Sequence, residues 1–312
     1  MNKAKIVFSL ILFCLCLVPA FSWDWPLSQP RLIKDFAGDE NGQFFPGILV
    51  RSGDGHTIGK AMENGEIVYG RNPDDPRVQI PWGAARVTVI DHESGYRGIY
   101  GGLDANKTAI PARTEKGTNW FIKAGQEIGA LTGTVFADDP HCLIAIIDQR
   151  HSGFVNPLLL LPDIREKRLP IIHSVQLAWN KNDKPTILHD RTEAISGQPR
   201  LFAYIRDYFP GFNKQIAGLP RSIQVSLNGT PSYTFAKTAL RTKDGRTYLA
   251  QSPDGDYDHF YMDEGLIDLG LLTLKEGQNR IEIRVNDGVG NRAGAMYRIS
   301  WHKRSEEPIT SQ

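Results

Sequence analysis

The side chains most capable of chemistry are concentrated in one short segment, Asp138–Cys142. His141 follows two aspartates and precedes an apolar run, and histidine can ligate a metal or transfer a proton near neutral pH. A Cys–His hydrolase would need both side chains within hydrogen-bond reach, but adjacent strand residues point to opposite faces. We therefore predict that His141 faces a cleft, as a ligand contact, a proton shuttle or an inert hydrogen-bonded residue. Cys142 is predicted to be a buried apolar residue.

A second set of possible metal donors lies in the glycine-rich turn that contains Asp54 and His56. A catalytic zinc site needs about three His, Cys or carboxylate ligands plus an open water position. His141 with Asp138 or Asp139 and one residue of this turn could supply them. A surface turn explains His56 more simply, so this ligand set is kept as an alternative.

Three carboxylates at alternate positions begin a calcium-loop pattern at Asp254, Asp256 and Asp258. The pattern then fails, because His259 stands where glycine is needed and Gly265 where a bidentate glutamate is needed. We interpret the segment as a solvated loop.

The elements that must position these residues are strands throughout. Short β-branched runs bounded by Gly, Pro, Asn or Asp recur along the chain, and no long amphipathic helix is found. We predict strands at Glu66–Tyr69, Arg86–Ile90, Leu143–Ile147, Ser174–Trp179, Leu201–Ile205, Ser222–Leu227 and Asn279–Val285. The Asn64-Gly65 dipeptide predicts a tight hairpin. The fold class is therefore all-β.

Four segments of the first half follow a recognisable order: Phe44–Leu49, Val87–Leu103, Ile122–Gly133 and Pro140–Pro157. They resemble the conserved segments of the lysostaphin-type (LytM-like) zinc endopeptidases, a secreted family that cuts cell walls. The resemblance implies an antiparallel β-sheet domain of the duplicated hybrid motif type. It also implies that His92 is a framework residue.

The resemblance places the three zinc ligands of that family at Phe45, Leu49 and Leu143, and its two assisting histidines at Gly102 and His141. Only His141 keeps the family's residue type. Phe and Leu have no lone pair for a metal, so we predict that zinc and the zinc-bound nucleophile are lost. With Tyr100 nearby, these five positions are predicted to form an apolar binding cleft, with no catalytic or metal-ligating residue assigned.

The second half contains alternating strands and a closing Asn286–Asn291 turn that resembles those of immunoglobulin-like or fibronectin-like β-sandwiches. Length predicts two domains. The predicted division is a signal peptide at 1–22, a degenerate peptidase-like domain at 23–162, a linker at 163–170, a β-sandwich at 171–302 and a polar tail at 303–312.

Residues 1–22 have the charged start, apolar run and small-x-small ending of a secretory signal peptide. Cys14 and Cys16 lie inside the apolar run without small residues before them, so lipidation is not predicted. Cleavage would remove Lys3 and Lys5 and change the formal net charge from +1 to −1. A near-neutral chain lacks the basic face that nucleic acids require. We predict export to the periplasm or cell envelope, with no membrane span after cleavage.

Three functions are compatible with these features. The first is a non-catalytic envelope protein that binds peptidoglycan or a partner, for example activating or scaffolding a cell-wall hydrolase, through the former active-site cleft. The second is an active cell-wall metallopeptidase with substitute ligands. The third is an adhesion or docking protein that works through the C-terminal sandwich.

Overall fold

A computed structural model describes residues 23–71, 86–104, 120–134, 137–164, 168–180, 183–190, 192–195, 197–209, 216–244, 246–251, 257–261 and 265–302. The predicted signal peptide, the polar tail, Asp254 and Asp256 lie outside these residues. Within them, no helix is long and apolar enough to cross a membrane.

The fold is all-β, as the strand patterns predicted. The strands of the first half are β1 (Pro30–Lys34), β2 (Ile48–Ser52), β3 (Ile58–Lys60), β4 (Gly65–Arg71), β5 (Arg86–His92), β6 (Tyr96–Leu103), β7 (Trp120–Ile122), β8 (Glu127–Ala130), β9 (Thr132–Thr134), β10 (Ala137–Asp148) and β11 (Gly153–Val155). A 3-10 turn follows at Pro157–Leu159, and the Asn156 side chain caps it by accepting from the Leu158 amide at 3.1 Å.

The second half continues with further strands and a short helix. The strands are β12 (Ile171–Ala178), β13 (Thr186–Ile187), β14 (Thr192–Ile195), β15 (Arg200–Phe209), β16 (Ile216–Gly218), β17 (Ser222–Leu227), β18 (Thr230–Ala236), β19 (Ala239–Lys243), β20 (Arg246–Leu249), β21 (Ile267–Leu271), β22 (Gly277–Asn286) and β23 (Arg292–Trp301). The helix α1 is Tyr257–Phe260.

The largest sheet has the order β20-β19-β11-β10-β6-β5-β4-β7, and β2 and β9 also pair with β10. Its long strand β10 is central, because residues 142–144 pair with β2, residues 143–148 pair with β6 and residues 146–148 pair with β11. The predicted hairpin at Asn64-Gly65 is wrong, because β3 pairs with β8 and β4 pairs with β5 and β7.

Two five-stranded sheets form most of the second half, with orders β13-β12-β15-β16, to which β21 adds beside β15, and β14-β23-β22-β17-β18. Side chains from both sheets belong to one buried apolar cluster, among them Val175, Ile205, Val225 and Ile283. The immunoglobulin-like assignment of this half stays a prediction.

The two halves of the chain are joined by strand pairing as well as by packing. The β19–β20 hairpin, from the second half, pairs with β11 through Phe154 and Leu240. Asn156 also donates from Nδ2 to the Lys237 carbonyl oxygen at 2.9 Å. The main apolar core therefore runs continuously from the first half into the second. The division at residues 163–170 stays a prediction.

Candidate functional site

The three positions aligned with zinc ligands lie together in the structure. Phe45, Leu49 and Leu143 form a separate small apolar cluster with Val87. Leu49 is in register with Leu143 across β2 and β10, so the two side chains share one face of the sheet. Phe45 precedes β2 and packs against both. We call this group the apolar cluster.

The apolar cluster is closed rather than open. Phe45, Leu49 and Leu143 are 3%, 1% and 8% exposed. The Lys34 ammonium lies 4.8 Å from the centre of the Phe45 ring, on the side of β1. The predicted cleft floor is thus a packed apolar layer, with Ile33, Val89 and Ile99 partly buried around it.

His141 lies at the start of this layer on β10, in register with Thr132 of β9. Its side chain is buried, and Nδ1 is 2.7 Å from the Asp139 carbonyl oxygen. Burial lowers the pKa of this imidazole by penalising its charged form, although the Asp139 carbonyl acts in the opposite direction. The geometry supports a neutral His141 that donates from Nδ1 to this carbonyl.

Gly102 occupies the position of the second assisting histidine and has a backbone φ of +81°. This is the left-handed region, which a residue with a side chain adopts only with strain. The backbone of β6 here thus suits glycine and would disfavour a histidine.

Tyr100 does not line the cleft, contrary to our prediction. It is in register with Ile144 on the opposite face of the sheet and is fully buried in the main core. Its hydroxyl oxygen accepts from the Met62 amide at 3.0 Å and lies 3.1 Å from His92 Nε2. Strand alternation is the reason, because Tyr100 is one residue away from Gly101, the partner of Leu143.

Two exposed aromatic residues, Tyr69 and Phe121, share the face of the apolar cluster. Tyr69 is in register with Val89 of β5, and Phe121 with Glu66 of β4. They are 48% and 57% exposed. The bulge at Val68 reverses the expected alternation in β4 and brings Tyr69 to this face. The sequence places Tyr69 on a strand but gives no sign of this bulge.

His92 and Cys142 lie where the sequence places them. His92 is buried on the Tyr100 side of the sheet, with Nδ1 3.3 Å from the Asn64 carbonyl oxygen, and burial lowers the pKa of its imidazole. Cys142 is a buried free thiol in the main core, and burial raises its pKa to about 12. A thiol with such a pKa is not a nucleophile at neutral pH.

The alternative metal donors are occupied by other contacts. Asp54 accepts from the hydroxyls of Ser52 and Ser28 and from the His56 amide, and these bonds lower its pKa to about 2. Asp139 pairs with Arg51 at 2.5 Å. Among the residues that the structure describes, no group of three or more His, Cys, Asp or Glu could hold a metal. The donor set of the apolar cluster does not fit zinc, since none of its side chains has a lone pair for a metal.

Comparisons with known proteins give only weak similarities. A family model matches residues 169–302, and no curated protein matches the chain significantly. Among solved structures, the chain is similar to the SpoIIQ–SpoIIIAH pore-forming complex, with 17% identity, a TM-score of 0.34 and coverage of 45% of this chain and 90% of that one.

Two peptidases are also similar. The catalytic domain of lysostaphin from Staphylococcus simulans is 20% identical over 40% of this chain and 85% of that one, with a TM-score of 0.30. A zinc-containing peptidase from Vibrio cholerae is 18% identical over 46% of this chain and 41% of that one, with a TM-score of 0.32.

Proposed function

We propose that this chain is an exported, non-catalytic, peptidase-like protein of the bacterial cell envelope. It binds peptidoglycan or a protein partner, such as a cell-wall hydrolase that it activates or scaffolds, through the sheet face that carries the apolar cluster. The proposal rests on the packing of Phe45, Leu49 and Leu143 in one buried apolar cluster. A zinc hydrolase needs lone-pair donors there to activate water.

The same face offers contact area for a partner. Tyr69 and Phe121 expose large aromatic surfaces beside the buried layer. Aromatic side chains bind both protein segments and the apolar faces of sugars, so these two residues are candidate contacts for a partner. The Asp91–Arg97 ion pair, at 2.5 Å, adds polar groups to this face in the cross-strand row of Phe121 and Glu66.

The first test combines metal analysis with a digestion assay. We expect mass spectrometry of the mature protein, purified without chelators, to find no stoichiometric zinc, and muropeptide digestion to show no cleavage. Near-stoichiometric zinc or cleavage would contradict the proposal and favour the substitute-ligand peptidase.

The second test locates the binding surface. The double variant Tyr69→Ala/Phe121→Ala should lose binding to isolated peptidoglycan or to envelope proteins captured by the wild type. The matched control is Ile187→Ala/Leu271→Ala, which removes two similarly exposed side chains, 54% and 55%, from the second half. Loss of binding in the control alone would favour the docking function of the C-terminal half.

A further inference from the structure

Trp23, the residue that follows the predicted signal peptide, is buried in the main core at 2% exposure. Its indole ring packs edge-on against two aromatic side chains of the β5–β6 hairpin. The ring centroids lie 4.7 Å from that of His92 and 5.9 Å from that of Tyr96. Trp23 therefore attaches the start of the predicted mature chain to the turn that joins β5 to β6.

The main chain at Trp23 runs antiparallel to the segment that precedes β4. Two main-chain hydrogen bonds join these segments, from the Asp24 amide to the Met62 carbonyl oxygen at 2.9 Å and from the Lys60 amide to the Pro26 carbonyl oxygen at 3.0 Å. Residues 24 and 26 thus oppose residues 62 and 60, and the next opposed pair is Trp23 with Glu63. Opposed residues of this kind have Cα atoms about 4.5 Å apart. The main-chain nitrogen of Trp23 is therefore within reach of the Glu63 side chain.

Glu63 has an incompletely paired carboxylate. The residue is 8% exposed, and its Oε2 accepts from the Ser94 hydroxyl at 2.6 Å. Its Oε1 is buried and has no hydrogen-bond partner within the part of the chain that the structure describes. A buried carboxylate oxygen without a donor is costly. A donor placed beside Oε1 would therefore stabilise the first half.

The charges around Glu63 favour a cationic donor. Burial raises the pKa of the Glu63 carboxyl, hydrogen bonds from Ser94 lower it, and the charge of Glu93 raises it. Among the described residues, no lysine or arginine pairs with this carboxylate. A positive charge beside Oε1 would both satisfy this oxygen and offset the repulsion from Glu93.

The sequence predicts that such a cation is generated at this place. The small-x-small pattern Ala20-Phe21-Ser22 predicts signal-peptide cleavage before Trp23. Hydrolysis adds one water across the Ser22–Trp23 peptide bond, leaving a carboxylate on Ser22 and an amine on Trp23. The amide nitrogen of Trp23 thereby becomes an α-amino group with a usual pKa of about 7.7–8.0, so it is mostly protonated at neutral pH.

We propose that the α-ammonium of Trp23, created by cleavage after Ser22, donates to Glu63 Oε1 and fixes the mature N-terminus onto the first half. The uncleaved precursor has a neutral amide at this position and cannot form the pair. Removal of the signal peptide therefore stabilises the fold of the first half. The inference rests on the export that is part of the proposed function and does not involve the sheet face described there.

The first measurement is the N-terminal sequence of the full chain after secretion by a bacterial host. We expect the mature chain to begin at Trp23, which would support the cleavage. Any other start overturns the proposal, because the ammonium would then be attached to a different residue. Retention of Met1 would contradict the export under the proposed function as well.

The second measurement is urea unfolding of the mature chain, with and without one alanine added before Trp23. The added residue moves the ammonium by about 3.8 Å and changes no other side chain. We expect the chain that begins at Trp23 to have the higher urea midpoint, and this difference to vanish in Glu63→Gln. The matched control Glu93→Gln removes a neighbouring exposed carboxylate and should keep the difference. No difference in the wild type, or an equal one in Glu63→Gln, overturns the pair.

The reactivity of the α-amine gives a readout that a general loss of stability would not produce. Only the unprotonated amine reacts with an acylating reagent, and each unit by which an ion pair raises its pKa reduces this form about tenfold. We expect the Trp23 amine of the wild type to be acylated roughly tenfold more slowly than that of Glu63→Gln. Equal rates overturn the pair. Tyr69→Ala/Phe121→Ala should react as the wild type does, so failure of this inference and failure of the proposed binding face are recognised separately.

Discussion

Lys237 donates to Asp35 across 2.5 Å, although the two residues are 202 positions apart in the sequence. Both side chains are almost fully buried, at 2% and 3% exposure, and Lys237 also donates to the Leu219 carbonyl oxygen. Gly218 permits this approach, because a Cβ there would lie 2.5 Å from Asp35 Oδ2. The pair joins β1 to the second half of the chain.

Removing one member of this pair should be more harmful than removing both. We expect Lys237→Met to destabilise the protein by about 3–5 kcal/mol, because Asp35 is left buried without its cation. The double variant Asp35→Leu/Lys237→Met should recover a large part of this loss in urea unfolding. Additive losses would mean that the two side chains act independently.

Asp207 should make stability fall as the pH rises. Its pKa in the folded protein, about 6, lies above the ordinary value of 3.8, so the folded state holds this proton more tightly than the unfolded state does. Its stabilising contribution is present below pH 3.8 and is lost as the pH rises through about 6. Asp207→Asn should remove this component.

The measurement is the free energy of unfolding of wild type and Asp207→Asn between pH 4 and 8. The difference between the two proteins is needed, since burial lowers the pKa values of His92 and His141 and those groups have the opposite pH dependence. Parallel pH profiles for the two proteins would rule out this role for Asp207.

Tyr100 should matter for stability and not for binding. Tyr100→Phe removes the acceptor of the Met62 amide and the contact with His92, and we expect a loss of about 1–3 kcal/mol. Partner binding should be unchanged, because Tyr100 lies on the face opposite Tyr69. Reduced binding with unchanged stability would place Tyr100 in the site after all.

Leu143→Asp should destabilise the first half by several kcal/mol, since it places an unpaired charge in the apolar cluster. His141→Ala is the comparison and should leave the fold intact. Urea unfolding checks both. If Leu143→Asp were well tolerated, the packing of this strand would be different from that described.

Placing the ligand types of the lysostaphin-type zinc peptidases at the three aligned positions should create metal affinity. The triple variant Phe45→His/Leu49→Asp/Leu143→His should be less stable than the wild type without metal and should gain thermal stability when zinc is added, because metal binding favours the folded state. The wild type is the control and should not respond. No zinc-dependent gain in the variant would indicate that the three positions do not have ligand geometry.

The sequence was sufficient for features set by local alternation. The predicted strand Leu143–Ile147 lies within β10, and Cys142 is buried opposite Leu143, because side chains alternate along a strand.

Features that depend on distant pairing could not be predicted. The error in placing Tyr100 is an alternation error of one residue, and the exposure of Tyr69 depends on a bulge that only the pairing of β4 with β5 reveals. The predicted Asn64-Gly65 hairpin does not form, because β3 pairs with β8, which lies more than 60 residues later in the chain. The Asp35–Lys237 pair could not be predicted either, because no local sequence feature indicates that a lysine is buried and paired with a distant aspartate.

The pairing of β11 with β19 has a consequence for how the protein is made. The large sheet takes its outer hairpin from residues 239–249, so a chain released or cleaved between the two halves leaves the backbone groups along β11 without this partner. An open strand edge of this kind recruits other chains, and a separately produced first half should therefore self-associate. In the full-length protein the β19–β20 hairpin covers this edge.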